Sequence, residues 1–143
     1  MAVDKNKRVL VVDDSEDNLL LMELLLRSEG YTVDSASSGI EGLKKVYKRH
    51  PDLIILDLMM PGISGLEVIQ RLKSKCHLSS IPIILLTANS SLKSTDIEDV
   101  DAVCLKPFDL NHILQKIKTL IMVESSNLVS PLQEIFTNKH LNF

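Results

Sequence analysis

The sequence predicts an α/β domain: a parallel sheet with helices packed on both faces. Three observations carry this expectation. The apolar runs Val9–Val12, Leu53–Leu56 and Ile83–Leu86 are continuous rather than alternating, the pattern of strands buried on both faces. Helical patterns lie between those runs, so strands and helices alternate along the chain. The chain has 143 residues, 45% of them hydrophobic, with five Gly and five Pro, which suits one domain with a real core.

Each element has its own signal. Tyr31–Ser35 and Ala102–Leu105 are shorter, partly polar strand candidates. Glu16 to Glu29 carries a wide leucine-rich face and stops at Gly30, a natural residue just past a helix end. Ser38 can cap a second helix, whose Ile40, Leu43, Val46 and Tyr47 recur at helical spacing until His50-Pro51 ends it. Ser64 can cap a third, with Leu66, Ile69, Leu72 and Cys76 along one side. A fourth helix, short or irregular, is expected within 91–98. Asp109 begins an amphipathic helix with Leu110, Ile113, Leu114, Ile117, Leu120 and Ile121 on one stripe. This alternation demands right-handed crossovers and helices on both sides of the sheet.

Residues 1–122 read as the domain and 123–143 as a C-terminal tail. The tail contains Pro131, and Leu132, Ile135 and Phe136 could line one side of a short helix. Either the tail docks on its own domain or on a second copy, giving a homodimer, or it is disordered. It is too short for a second domain with its own core.

Composition excludes several classes. A net charge of −3 argues against direct nucleic-acid binding through a broadly basic surface. The cluster Lys44, Lys45, Lys48 and Arg49 reads better as a solvated helix face than as a phosphate patch. Cys76 and Cys104 have no metal-ligand spacing and read as reduced, partly buried thiols. No apolar run approaches the ~18 residues needed to cross a bilayer, and Met1 to Arg8 leads into no signal-type stretch. A cytoplasmic protein without membrane contact is the expectation.

Ligands of open α/β sheets bind at the carboxyl ends of the strands. Those ends carry Asp13-Asp14, Asp57, Thr87 and Lys106-Pro107. Taken singly, each is a turn, a cap or an ordinary strand residue. At successive strand ends they form a constellation. Three converging carboxylates raise each other's pKa unless a hard cation such as Mg²⁺ joins them. Lys106 and the Thr87 hydroxyl would then suit an incoming anion with several oxygens.

The stretches VLVVDDSEDN, DLIILDLMMPGISGLEVI, IPIILLTA and LKPF resemble the receiver domains of two-component response regulators, of which the chemotaxis regulator CheY is the familiar example. The resemblance runs from about Arg8 to Met122. It implies a flavodoxin-like (βα)5 doubly wound fold with strand order 2-1-3-4-5. It also implies that Asp57 accepts a phosphoryl group from a histidine kinase or phosphotransfer protein. By the same resemblance, Asp14 ligates Mg²⁺ together with Asp57 and the Met59 carbonyl, and Asp13 holds the metal through water. Thr87 bonds the phosphoryl oxygen, Lys106 pairs with it, and Pro107 follows a cis peptide bond. Such a module switches the binding of an output protein. It catalyses its own phosphorylation and hydrolysis but has no metabolic substrate.

The sequence also departs from the family pattern. Val103 stands where Tyr or Phe is usual, Asp99-Val100 replaces a usual Gly-Ala, and the stretch from Thr87 to Lys106 is short. Coupling from Thr87 should then run through Ala88 and Asn89 into the shortened fourth helix. Two rivals are weaker. A haloacid dehalogenase-type phosphatase wants a second Asp where Met59 stands, and a flavodoxin wants a phosphate loop where Asp13-Asp14 would repel the phosphate. The chain is expected to be a stand-alone regulator or a receiver from a hybrid kinase or multidomain protein; DNA binding would need a further domain.

Overall fold

The computed structural model describes residues 6–92 and 97–127. Five parallel strands form one sheet: β1 (Arg8–Val12), β2 (Thr32–Ala36), β3 (Leu53–Asp57), β4 (Ile83–Thr87) and β5 (Ala102–Leu105), in the order β2-β1-β3-β4-β5. Four helices are seen among the described residues: α1 (Glu16–Ser28), α2 (Gly39–Lys48), α3 (Gly65–Lys73) and α4 (Leu110–Asn127).

The continuous apolar runs follow from this architecture. Val9, Val11, Leu53, Ile55, Ile84 and Leu86 point to one side, where they meet Leu19, Met22 and Leu26 of α1 and Ile113 and Ile117 of α4. Leu10, Val12, Ile54, Leu56, Ile83 and Leu85 point to the other, against Leu43 and Val46 of α2 and Val68, Ile69 and Leu72 of α3. Alternate residues face opposite layers, so a sheet covered twice keeps its central strands apolar until their carboxyl-terminal residues, Asp57 and Thr87. β3 and β4 are buried throughout.

Caps place the helices. Ser15, Ser38 and Ser64 each accept the backbone N–H three residues on through their hydroxyls, satisfying donors that the first turn leaves free. Gly30 follows α1 at φ +95°, a left-handed conformation open to glycine at little cost.

Several expectations need correcting. In α2 the buried positions are Gly39, Gly42, Leu43 and Val46, while Ile40 and Tyr47 are exposed. Glycines at 39 and 42 let the helix lie against Ile63, Val68 and Val12, where a Cβ would clash, and this turns the buried stripe away from the bulkier residues. Leu66 is exposed and α3 ends at Lys73, so Cys76 is not on that helix; it is exposed on the following turn, whereas Cys104 is buried. Between β4 and β5, residues 88–92 and 97–101 form turns and bends without helix; part of the expected fourth helix, 93–96, lies outside the described residues. The last helix runs to Asn127, past the expected boundary at 122. Leu132, Ile135 and Phe136 lie outside the described residues. No described helix is long and apolar enough to cross a membrane.

Candidate functional site

Parallel strands deliver their carboxyl ends to one edge of the sheet, and five predicted polar residues meet there. β1 runs straight into Asp13, whose N–H donates to the Ala36 carbonyl of β2 at 3.1 Å. Its side chain is buried. Oδ1 accepts the Ser15 N–H at 2.9 Å, and Oδ2 accepts from the Asn18 amide at 3.3 Å and from Lys106 Nζ at 3.2 Å. Asp57 closes β3 and is 3% exposed. Its Oδ1 accepts the Met59 N–H at 3.3 Å, and its Oδ2 lies 3.1 Å from Lys106 Nζ. Asp14 is exposed, and carboxylate oxygens of Asp13, Asp14 and Asp57 all lie within 4.8 Å of one another.

Lys106 reaches this cluster because β5 pairs with β4 up to Thr87↔Leu105. Its N–H then donates to the Thr87 carbonyl at 2.8 Å. Thr87 is buried, and its hydroxyl accepts the Asn89 N–H at 3.0 Å. The Lys106-Pro107 peptide is cis, as the resemblance implies. Met59 is 74% exposed, at the rim beside the acidic cluster.

Charge decides what this arrangement can hold. Three carboxylates against one ammonium leave an excess of about two negative charges, the complement of one divalent cation. Burial pushes the Asp57 carboxyl up from 3.8 to about 6; the hydrogen bond from Lys106 pulls it down and the neighbouring Asp13 charge adds to the rise. For Lys106, burial acts downward, but the Asp57 hydrogen bond and the Asp13 and Asp57 charges raise it overall. The lysine is therefore a fixed cation, and Asp57 is a carboxylate whose charge burial disfavours and Lys106 supports. The all-oxygen donor set suits a hard cation better than an imidazole-seeking metal.

The receiver-domain family, described as "Response regulator receiver domain", matches residues 9–118. The chain belongs to this family. Among curated relatives, it is 36% identical over 117 residues to the response regulator ArlR of Staphylococcus aureus, covering 80% of this chain and 52% of ArlR. The chain thus spans about half the length of the curated relatives it matches. Among solved structures, the response regulator TrrA of Thermotoga maritima in complex with Mg²⁺-BeF is 41% identical, with a TM-score of 0.72 over 80% of this chain and 98% of that one. TrrA in complex with the histidine kinase ThkA aligns at 40% identity and a TM-score of 0.70, over 80% and 97% of the two chains.

All the site residues that the receiver resemblance names at strand ends are brought together here. Val103 is half-buried and, like Leu92, Ile97 and Val100, packs against the core on the α2–α3 side of the sheet, two residue pairs from the Thr87↔Leu105 pair at the site edge. Two contributors escaped the sequence reading. Asn18 fixes the Asp13 carboxylate from the first turn of α1; only a helical register putting it beside Asp13 would have marked it. Gly65 starts α3 where any Cβ would lie 2.6 Å from the Asp57 carbonyl oxygen and 2.9 Å from Leu58 Cα. Its signal was present in the PGISG stretch, as a glycine just inside a capped helix, a position that rarely favours glycine without a close approach.

Proposed function

We propose that this receiver accepts a phosphoryl group on Asp57 from a phosphohistidine donor, a histidine kinase or phosphotransfer protein, and that the phosphorylated surface controls the binding of an output protein. The observation that supports this most directly is the pairing of Lys106 Nζ with the buried Asp57 Oδ2 at 3.1 Å within a three-carboxylate cluster. A purely structural lysine would neutralise one carboxylate. Here one lysine serves two and leaves room and charge for a cation.

Asp14, Asp57 and the Met59 carbonyl would hold Mg²⁺, with Asp13 acting through water, and the bound cation would offset the charge of phosphoryl oxygens. Everything else is done by the chain itself. An Asp57 oxygen attacks phosphorus, the P–N bond of the donor breaks, and its electron pair returns to the imidazole, leaving an acyl phosphate. The Met59 N–H, donating to Oδ1, orients the carboxylate. Lys106 neutralises an oxygen of the transferring group, and the Thr87 hydroxyl donates to another. Phosphoryl transfer needs little more than positioning and charge stabilisation. The same site then hydrolyses its acyl phosphate, so the molecule is a self-resetting switch without a metabolic substrate.

A kinase partner is supported by the ThkA–TrrA complex, in which a similar receiver is bound to a histidine kinase. The deciding experiment is incubation with Mg²⁺ and acetyl phosphate followed by intact mass. The expected result is one added phosphoryl group, absent in Asp57→Asn. Phosphorylation persisting in Asp57→Asn would overturn the assignment.

A further inference from the structure

At the other end of the sheet, two imidazoles face each other across separate connections. His50 lies in the turn between α2 and β3, and His77 in the turns between α3 and β4. Their ring centres are 5.5 Å apart with an interplanar angle of 38°. Both residues are exposed.

That spacing is compatible with a shared metal. A metal about 2.0–2.1 Å from an imidazole nitrogen lies about 3.2 Å from the ring centre, so two imidazoles at a tetrahedral angle place their centres about 5.2 Å apart. The observed separation is within a few tenths of an ångström.

The backbone beneath each ring is already fixed. Pro51 is buried beside His50, and the next residue, Asp52, accepts the Arg8 N–H at 2.7 Å. Leu78 is fully buried beside His77. Around it, the Leu78 and Ser79 N–H groups donate to the Lys75 carbonyl at 3.0 and 2.9 Å, and the Ser79 hydroxyl donates to the Cys76 carbonyl at 3.0 Å. Two ligands held on pinned turns lose little freedom on binding.

We propose that His50 and His77 form a two-imidazole site for an imidazole-preferring divalent cation such as Zn²⁺, with water completing the coordination. The site differs in kind from the carboxylate cluster: nitrogen ligands select zinc, copper or nickel over magnesium. It clips the α2–β3 connection to the α3–β4 connection. The adjacent Arg49 and Lys75 oppose a cation and keep the affinity modest. Cys76 is exposed and free but is not required.

The test is a zinc titration of the full chain in saturating Mg²⁺, which occupies the carboxylate cluster, read by calorimetry and by imidazole NMR signals. The expected result is that the His50 and His77 ring signals shift together while that of His112 does not. His50→Gln and His77→Gln should each weaken binding by roughly tenfold or more, and Cys76→Ser should leave it intact. Unmoved His50 and His77 signals, wild-type zinc affinity in either glutamine variant, or binding lost with Cys76→Ser would each overturn the proposal.

Discussion

The two sides of β5 differ in kind. At its carboxyl end, Lys106 joins Asp13 and Asp57 at 3.2 and 3.1 Å, and each residue the receiver resemblance requires is in place. On the approach to β5, the pattern is rewritten. Asp99 adopts φ +71°, Val100 and Val103 fill the space with small side chains, and residues 97–101 form turns rather than helix. What holds this approach down is different as well. Asp101 accepts the Ile83 N–H at 2.8 Å and donates its own N–H to the Ile83 carbonyl at 2.9 Å, so the start of β5 is locked by polar bonds rather than by a ring. The charged site at the end of β5 therefore follows the receiver pattern, while the segment that leads into β5 departs from it.

The largest expected effect belongs to the chemical side. Because burial raises Asp57 from 3.8 to about 6, the folded protein holds that proton more tightly than the unfolded chain. The stability this group contributes is fully present below pH 3.8 and is lost as pH rises through about 6. A rise of about two pKa units corresponds to about 3 kcal/mol. In EDTA, Asp57→Asn should therefore be more stable than wild type above pH 7, by ~1–3 kcal/mol, and the advantage should vanish near pH 4. Saturating Mg²⁺ should shrink it by stabilising only the wild-type carboxylate. Denaturant melts at pH 4, 6 and 8 check this, and a gap independent of pH would refute the origin of the shift in Asp57.

The next effect sharpens the boundary between chemistry and readout. The Thr87 hydroxyl accepts the Asn89 N–H, so the position it takes on donating to a phosphoryl oxygen is tied to the connection after β4. A ligand shifts an equilibrium only through differential affinity for its two states. Thr87→Ala should still be phosphorylated on Asp57, yet the phosphorylation-dependent amide shifts of Asn89–Leu92 should fall several-fold. Val103→Ala removes two methyl groups from a half-buried position and should leave those shifts nearly intact. The reverse outcome would place the coupling in Val103 rather than in the backbone after Thr87.

The same divide explains what could be read from sequence. Strand ends were legible because apolar runs buried on both faces end abruptly at charged residues: Val12 before Asp13, Leu56 before Asp57. The meeting of Lys106 with Asp57 followed from strand order. Helix faces were harder where small residues decide them. Ile40 and Tyr47 look like core by spacing, but Gly39 and Gly42 bring α2 so close to Val12 and Val68 that the larger side chains are turned outward. Cys76 has the spacing of the third helix's apolar side, yet the helix stops before it. Asn18 and Gly65 act through a single hydrogen bond and a single close approach, and neither leaves a periodic signal.

The smallest effect tests the rebuilt side alone. Asp99 occupies the position where the receiver resemblance expects glycine, and it adopts a left-handed conformation open to glycine, φ +71°. A left-handed residue with a Cβ costs roughly 1–2 kcal/mol, with Asp among the best tolerated. Glycine would relieve this cost but would lose roughly 0.5–1 kcal/mol to the greater freedom of the unfolded chain. The balance predicts that Asp99→Gly stabilises by about 0.5 kcal/mol, and that Asp99→Ala destabilises by about 0.5–1 kcal/mol, because alanine keeps the Cβ without the short polar side chain that tolerates this region. In melting temperature the two variants should bracket wild type by a few degrees at most. Both should take up phosphate on Asp57 at the wild-type rate, since the turn lies before β5 and touches none of the site's charges. Equal stability of the glycine and alanine variants would show that this turn is not held left-handed. A slowed phosphorylation in Asp99→Gly would show that the approach to β5 and the site at its end are one unit after all.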